Sequence, residues 1–398
     1  MNVNVIRTGL LGISAYRDVM ETPVMRQAIR FLDALVAGQG EQGVEAYCQL
    51  FYQLRMEGCL GLGQWLGEAL RWSEGPYSML CQRGERDPAL ETAAERDVRT
   101  FELLAAVDCD DWVARLNRLL GSEYQGVLTS LPRWHSGIPF SFAQLTQSYQ
   151  EEGAGIFARH RAFVWEDGTL IPVLQPDCPT SDELLGYNRE REEVAANTRL
   201  LCQGRRVNNV LLYGESGTGK SATVKNLLTL PGMEELRIIE ADKEHLSGLP
   251  SLIRTLRGRR QKFIVFIDDL TFDRDDPTYA VLKTILEGGL ERRPDNVAVY
   301  ATSNRRHLVR QTISEREGDE MDRDETIREK TSLADRFGLR VLFQGMGKKA
   351  YLDLVDLLAH RQGIQLNREE LHRGAITWER FRGGQTPRTA LQYILSLG

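Results

Sequence analysis

The spacing of apolar residues changes along the chain. In the first part, apolar positions recur every three or four residues, the period of one buried helix face. This pattern predicts helices over Val24 to Val36, Val44 to Met56, Leu62 to Trp72, Pro88 to Val107 and Asp110 to Leu120. No strict repeat relates these helices to one another. Residues 1–150 are therefore predicted to form a helical N-terminal domain.

An alternating pattern follows around residue 160. Apolar residues alternate in part from Gly155 to Trp165 and again from Thr169 to Val173, and Glu166-Asp167-Gly168 between them has the composition of a turn. This pattern predicts a β-hairpin. Prolines from Pro172 to Pro179 then indicate a linker, so we assign residues 151–180 to a hairpin and a linker.

Short apolar runs beyond the linker predict five strands, with helical stretches between them. The runs are Val210 to Tyr213, Leu236 to Glu240, Lys262 to Ile267, Asn296 to Thr302 and Leu339 to Phe343. Strands that are apolar throughout are buried on both faces, as in a parallel sheet covered by helices. Residues 181–345 are therefore predicted to be an α/β core around a five-stranded parallel sheet.

A glycine-rich loop follows the first of these strands and precedes a predicted helix. It fits G-x-x-x-x-G-K-[ST] and consists of Gly214, Glu215, Ser216, Gly217, Thr218, Gly219, Lys220 and Ser221. Such a loop points successive backbone N–H groups at phosphate oxygens, and the helix N-terminus adds its positive dipole end. Lys220 is predicted to reach the β- and γ-phosphates of a nucleotide, and Ser221 to bind Mg²⁺. The alternative is a chance glycine-rich turn.

Two carboxylates end the third predicted strand. Asp268 and Asp269 directly follow an apolar run, and an apolar strand that ends in carboxylates is the form of a Walker B element. The pair lies about fifty residues after the phosphate loop. The carboxyl ends of strands in open α/β sheets form the ligand crevice. We expect Asp268 to act on the Mg²⁺ side and Asp269 to orient an attacking water. The alternative is a pair of aspartates that cap a turn.

Three later segments resemble the AAA-plus ATPases. Asn304, the segment Ala334 to Gly338 and the segment Gly384 to Ala390 are similar to the sensor 1, arginine-finger and sensor 2 series of that superfamily. Two local sequences are similar to those of a bacterial AAA-plus family known only as a domain of unknown function. They are Leu185 to Glu192 and Tyr300 to Leu308. The resemblance covers about Thr180 to the C-terminus.

The resemblance implies roles for five further residues. Asn304 would hold the attacking water or touch the γ-phosphate, unless it caps the next turn. Arg336 would act in trans, as a finger in the neighbouring subunit's site, or it is a surface arginine paired with Asp335. Arg388 would point from the first turn of a lid helix at the phosphates, or remain solvated. Gly186 and Tyr187 would lie against the adenine base, or they only form hydrophobic contacts at the start of a helix.

The Walker B pair departs from the common pattern of the superfamily. Many AAA-plus enzymes carry Asp-Glu, whereas this chain has Asp268-Asp269, whose second carboxylate sits about one methylene further back. Hydrolysis is therefore expected to be slow or to depend on a partner. Glu325 or Glu329 is an alternative source of the missing carboxylate.

Composition limits the remaining classes. The chain has 398 residues, 42% hydrophobic, and a formal charge of -6, which argues against a surface made throughout for nucleic acid. Apolar runs are too short to span a membrane, the N-terminus lacks a signal pattern, and we expect a cytoplasmic protein. The six cysteines and the histidines, His135 and His160 among them, show neither zinc spacing nor a disulfide framework.

Together these features predict an ATP-binding, Mg²⁺-dependent AAA-plus ATPase with a helical lid over residues 346–398. The resemblance implies a homo-oligomer, as a ring or a helical assembly, that remodels a protein client recruited by the N-terminal domain or a protein–nucleic acid client. A nucleic-acid contact is suggested by the cationic cluster Arg254, Arg257, Arg259, Arg260 and Lys262, or this cluster is a solvated helix end. The alternatives are a non-catalytic nucleotide-dependent assembly switch and a DNA-associated loader.

Overall fold

The computed structural model describes residues 2–271, 277–287, 293–304 and 333–397. The chain divides into two compact units, Met1–Arg159 and His160–Gly398. Within the described residues, no helix is both long and apolar enough to cross a membrane.

The first unit is helical. Its helices are α1 Val3–Leu11, α2 Arg17–Met20, α3 Pro23–Val36, α4 Gly40–Met56, α5 Leu62–Arg71, α6 Pro76–Gln82, α7 Pro88–Ala105, α8 Cys109–Leu120, α9 Gln125–Thr129, α10 Phe142–Glu151 and α11 Ile156–Arg159. Capping residues determine where several of these helices begin. Thr22 caps α3 before Pro23, and Asp87 caps α7 before Pro88, so that side-chain oxygens accept from N–H groups that lack a helical partner.

One aromatic-rich core holds the first unit together. Tyr47 of α4 stacks on Trp134 with ring centroids 4.7 Å apart, and Phe31 of α3 meets Trp112 of α8 edge to face at 5.3 Å. All four side chains are buried. Contacts of this kind add about 0.5–1.5 kcal/mol each beyond the burial of area. The five helices predicted from apolar spacing are all present, and the short helices between them carried too few periods to be predicted.

The second unit contains a seven-stranded sheet in the order β2-β1-β4-β5-β6-β3-β7. The strands are β1 Ala162–Glu166, β2 Thr169–Pro172, β3 Val210–Gly214, β4 Leu236–Ala241, β5 Lys262–Ile267, β6 Val297–Ser303 and β7 Leu339–Phe343. The helices are α12 Asn188–Cys202, α13 Lys220–Asn226, α14 Leu249–Leu256, α15 Pro277–Glu287, α16 Lys348–Arg361, α17 Arg368–Arg382 and α18 Pro387–Leu395. Short 3₁₀ segments at Leu227–Thr229 and Lys243–Gly248 complete this unit.

The predicted sheet had five strands, whereas the sheet in the structure has seven. Strands β3 to β7 form the expected parallel set, but the hairpin assigned to a separate segment also joins the sheet. Strand β1 pairs antiparallel with β2 and parallel with β4, with Ala162 opposite Ile238. Phe163 and Trp165 of β1 are buried. Pairing with β4 therefore buries apolar side chains that a free hairpin would expose.

The register of the strands determines which residues can meet. Tyr213 of β3 pairs with Ser303 of β6, and Ile267 of β5 pairs with Ala301 of β6. Because these strands are parallel, the residues that follow β3, β5 and β6 all lie at one edge of the sheet, its carboxyl edge. We use "amino edge" for the opposite side.

Helices α16, α17 and α18 pack together, and we call them the C-terminal bundle. Its core includes Tyr351 and Val355 of α16, Ala375 of α17 and Ile394 of α18. At the start of α18, Thr386 accepts from the Thr389 N–H while the Thr389 hydroxyl accepts from the Thr386 N–H, and Pro387 occupies the first turn. This reciprocal cap fixes where the helix begins.

Candidate functional site

The phosphate loop has the backbone that its glycines predict. Gly214, Gly217 and Gly219 have φ values of 135°, 79° and 91°, which residues with a Cβ atom rarely adopt. A Cβ on Gly214 would also lie 2.1 Å from the carbonyl oxygen of Phe343 in β7. Helix α13 begins at Lys220, so its free N–H groups face the loop's concave side.

Lys220 lies buried within the loop, with only 6% of its surface exposed. Its ammonium donates to the carbonyls of Gly214 at 3.0 Å and Glu215 at 2.7 Å, and to Asn304 Oδ1 at 2.9 Å. Burial lowers the pKa of Lys220, and the carboxylates of Asp269 and Asp268 oppose this effect. The ammonium is therefore held inside the ring of backbone that would receive a phosphate.

A second set of contacts joins the loop to the end of β5. Asp268 Oδ1 accepts from the Ser221 hydroxyl at 2.6 Å, from the Thr302 hydroxyl and from the Asp269 N–H at 3.1 Å. Carboxylate and hydroxyl oxygens are ligands of the kind that Mg²⁺ takes. Ser221 and Asp268 together could hold that ion beside the loop.

Asp269 has a strained backbone, with a φ of 48°. Its N–H donates to Thr302 Oγ1 at 2.9 Å, and its carboxylate accepts from Asn304 Nδ2 at 2.8 Å. Asn304 thus touches Lys220 with its oxygen and Asp269 with its nitrogen. The strand ends bring the loop lysine, both aspartates and the asparagine into one hydrogen-bonded set.

Arg388 lies where α18 meets the loop. Its backbone N–H donates to the Gly217 carbonyl at 3.3 Å, and a Cβ on Gly217 would be 3.1 Å from that of Arg388. The C-terminal bundle therefore touches the phosphate loop, with the first turn of its last helix in contact.

A cleft of about 780 Å³ opens between the phosphate loop and the C-terminal bundle. Among the residues that line it are Gly186, Tyr187, Gly217, Thr218, Gly219 and Arg388. Tyr187, with a φ of 54°, donates its hydroxyl to the Gln344 carbonyl at 2.7 Å and packs on Phe343 with ring centroids 5.2 Å apart. Burial raises the pKa of Tyr187 to about 12, so it is a neutral wall of the cleft.

Arg336 lies away from the chain's own loop. It precedes β7, whose first residue pairs with Val210, the first residue of β3, so it belongs to the amino edge. It is exposed there and lines a cleft with Arg206 and Arg293. Asp335 forms an ion pair with Arg340 at 2.8 Å. The structure therefore does not bring Arg336 together with the other predicted site residues of the same chain.

Sequence reasoning missed Thr302. It is 2% exposed in β6, and its hydroxyl bridges Asp268 and the Asp269 N–H. A polar residue at the end of an otherwise apolar buried strand was the available signal. Glu325 and Glu329, suggested as substitute carboxylates, lie outside the described residues.

Some members of the cationic cluster at the end of α14 have partners within the second unit. Arg260 forms an ion pair with Glu235 at 2.7 Å, and Arg259 Nε donates to the Thr255 carbonyl at 3.5 Å. No group of three or more His, Cys, Asp or Glu side chains in the described parts of the chain is placed to hold a metal ion.

The loop, the strand-end carboxylates and the parallel sheet define a phosphate-loop protein of the α/β class. Residues 158–398 match the family described as "Protein of unknown function (DUF815)", and the chain belongs to that family. The resemblance to a family known only as a domain of unknown function, stated from the sequence, is confirmed by this match.

No curated protein matches the sequence. Among solved structures, the chain is similar to the RuvB Holliday junction branch migration motor of Thermotoga maritima, at 15% identity and a TM-score of 0.38. Two mutant forms of that protein give 15% and 14% identity, with TM-scores of 0.39 and 0.38. These matches cover 54% of this chain and 63% of the RuvB chain.

Proposed function

We propose that this protein binds ATP with Mg²⁺ in the cleft beside the phosphate loop and hydrolyses it to remodel a protein or protein–nucleic acid client. One observation carries the proposal. Lys220 and Ser221, at the start of α13, form one connected set with the residues that follow β5 and β6, namely Asp268, Asp269 and Asn304. A pair of turn-capping aspartates would have no reason to contact a phosphate-loop lysine and serine through such a set.

Binding begins with an exchange of partners at Lys220. Its ammonium now donates to two loop carbonyls and to Asn304. The β- and γ-phosphates would replace these acceptors, and charge-assisted bonds to phosphate are about twice as strong as neutral ones. The loop N–H groups and the start of α13 add further donors. Gly186 and Tyr187 would hold the base at the other end of the cleft.

Ser221 and Asp268 are the residues that would hold Mg²⁺. The ion would neutralise charge on the phosphate oxygens during transfer. The Thr302 hydroxyl already fixes the Asp268 carboxylate, which is how outer-shell partners orient metal ligands. Asp269 and Asn304 would hold the attacking water between them and the γ-phosphate.

The two arginines would act from different chains. Arg388 comes from the C-terminal bundle of the same chain and would sense or neutralise the γ-phosphate, which would move that bundle against the core. Arg336, on the amino edge, would serve a second copy's site. The edge that offers Arg336 and the edge that offers the loop are opposite, so a head-to-tail homo-oligomer, closed into a ring or open as a helix, satisfies both. The helical first unit would recruit the client.

The proposal is tested by phosphate release in the presence and absence of Mg²⁺. Wild type is expected to bind ATP and release phosphate only with Mg²⁺. Asp269→Asn should keep ATP affinity and lose hydrolysis, whereas Lys220→Ala should lose at least about tenfold in ATP affinity, the size of one lost charge-assisted contact. Unchanged ATP affinity in folded Lys220→Ala protein would remove the nucleotide site from consideration.

A nucleotide-dependent assembly switch is the second candidate. Asp269 is one methylene shorter than glutamate, and Asn304 already occupies one of its oxygens. Wild type in the presence of its client could bind ATP and change its oligomeric state without releasing phosphate. That result would support the assembly switch and rule out the ATPase function. A DNA-associated loader would instead require that DNA stimulate the hydrolysis, and loss of stimulation in Arg254→Gln or Arg257→Gln would support it.

A further inference from the structure

One face of α17 combines exposed aromatic and cationic side chains. Arg373, Thr377 and Phe381 follow each other at four-residue intervals, and Gly374, Trp378 and Arg382 form the adjacent row. Residues four apart lie on one helix face, so the two rows run side by side. Together with Glu370, they line a groove of about 560 Å³ in the C-terminal bundle, which we call the α17 groove.

Phe381 is 84% exposed, the highest value among the large apolar side chains of the described residues. Of the other aromatic residues of this bundle, Tyr351 and Tyr393 are buried and Trp378 is partly buried. Leaving a Phe side chain in water forgoes about 1.5–3 kcal/mol of burial free energy. An aromatic ring held at the rim of a groove is therefore available to stack on a partner.

The cations of this face are not neutralised within the described residues. Arg373 and Arg382 form no ion pair with a carboxylate there, whereas Arg368 at the start of the same helix pairs with Asp356 at 2.8 Å. Residues 346–398 contain eight Lys and Arg against five Asp and Glu, although the whole chain has a net charge of -6. Positive charge is thus concentrated in this bundle.

Arg382 also stacks on an aromatic ring. Its guanidinium carbon lies 5.1 Å from the centre of the Trp378 ring. A guanidinium held over an indole is ordered before any partner arrives, and its open side presents both a flat surface and a positive charge. Phe381 and Arg382, next to each other at the groove, supply a stacking surface and a charged one.

We propose that the α17 groove binds single-stranded nucleic acid, by base stacking on Phe381 and contacts from Arg373 and Arg382 to phosphates. Aromatic platforms within a cationic groove are how proteins bind single strands without sequence preference. The face from Arg373 to Arg382 is about 14 Å long at 1.5 Å per residue, room for about three or four bases at their 3.4 Å spacing. This site is separate from the phosphate loop and does not rest on ATP binding.

An apolar protein partner fits the α17 groove less well. A protein-docking surface has a desolvated apolar centre with charge at its rim. Here the most exposed ring is flanked by unpaired arginines, and burial of these cations against an apolar surface would carry a desolvation cost. Phosphate groups offset that cost and an apolar helix does not.

The test uses the full chain and fluorescein-labelled oligonucleotides of about 20 nucleotides, oligo-dU and oligo-U, in fluorescence anisotropy at about 50 mM salt. Wild type is expected to bind both or one, and the two arms identify the sugar. Phe381→Ala should weaken binding about tenfold, the loss expected for one stacked base. Arg373→Gln and Arg382→Gln should each lower the slope of log K against log salt by about 0.7.

Two variants serve as controls. Leu366→Ala removes an exposed apolar side chain elsewhere in the bundle, and Arg368→Gln removes an ion-paired cation of the same helix. Both should bind nearly as wild type, and thermal unfolding should show that every variant is folded. Lys220→Ala should also bind normally, since the phosphate loop is not involved.

Four results would overturn the inference. Wild type that binds neither oligonucleotide at low salt lacks the site. Binding that falls equally in the control and the groove variants is not located in the groove, and binding lost in Lys220→Ala belongs to the phosphate loop. Wild-type oligonucleotide affinity in Phe381→Ala, together with a lower oligomeric state by sedimentation, would assign the groove to a second copy of this chain.

Discussion

Thr302→Val should impair the metal side of the site without removing any residue expected to touch the nucleotide. Valine has the shape of threonine but lacks the hydroxyl, which here donates to Asp268 and accepts from the Asp269 N–H. A hydrogen bond to a charged group contributes about 1.5–3 kcal/mol, and an unpaired buried N–H costs about 1–3 kcal/mol. Asp268 keeps two other donors, Ser221 and its neighbour's N–H, which offset part of the loss.

We therefore expect Thr302→Val to lower the free energy of unfolding by about 1–3 kcal/mol, measured by urea denaturation. The Mg²⁺ concentration for half-maximal phosphate release should rise about 10- to 100-fold, the usual effect of losing an outer-shell partner. Thr302→Ser, which keeps the hydroxyl, should retain a near-normal Mg²⁺ dependence.

A matched control separates stability from metal binding. Thr198 is also fully buried and its hydroxyl bonds the Val194 carbonyl and the Tyr300 hydroxyl, on α12 and away from the loop. Thr198→Val should destabilise the protein by a similar amount and leave Mg²⁺ dependence unchanged. If Thr302→Val shows wild-type Mg²⁺ dependence, or if Thr198→Val shifts it as much, the hydroxyl does not orient Asp268 for a metal.

Three further predictions concern the same unit. Arg336→Ala protein mixed with Lys220→Ala protein should recover phosphate release that neither shows alone, because mixed interfaces pair an intact loop with an intact arginine; a fully active Arg336→Ala variant would contradict the trans role. Gly214→Ala should destabilise by more than about 1 kcal/mol in urea denaturation, since its Cβ would meet the Phe343 carbonyl at 2.1 Å and its φ is 135°; unchanged stability would show that the strands relax. Burial lowers the pKa of Lys220 below 10.5, so folding releases a proton and the stability of wild type relative to Lys220→Met should rise as pH rises toward 10.5; a flat difference between the two urea curves would contradict this.

The sequence was informative wherever one segment determines its own structure. The phosphate loop, Asp268, Asp269 and Asn304 were predicted because each follows a buried apolar strand, and parallel strands bring such positions to one edge. The roles assigned to these residues stay predictions. Their contacts, among them the bridge of Asn304 between Lys220 and Asp269, depend on side-chain positions that no local pattern encodes.

Long-range pairing explains what the sequence did not predict. The hairpin of β1 and β2 was visible locally, but its pairing with β4 depends on a partner more than seventy residues away. Thr302 gave only the weak signal of one hydroxyl in an apolar strand. The role proposed for Arg336 depends on a second copy of the chain, which neither the sequence nor the fold of one chain contains.

The two outer strands of the sheet limit how copies of this protein can associate. Strand β2 has four residues and ends at Pro172, which has no N–H to donate to a further strand. On the other side, β7 has five residues and carries Arg340, a charged side chain of the kind that blunts sheet edges. Neither edge among the described residues favours addition of a strand from another chain. Continuous backbone ladders of the kind that make β-aggregates permanent are therefore disfavoured at these two edges, whereas contacts between side chains on helices and loops can separate and rejoin.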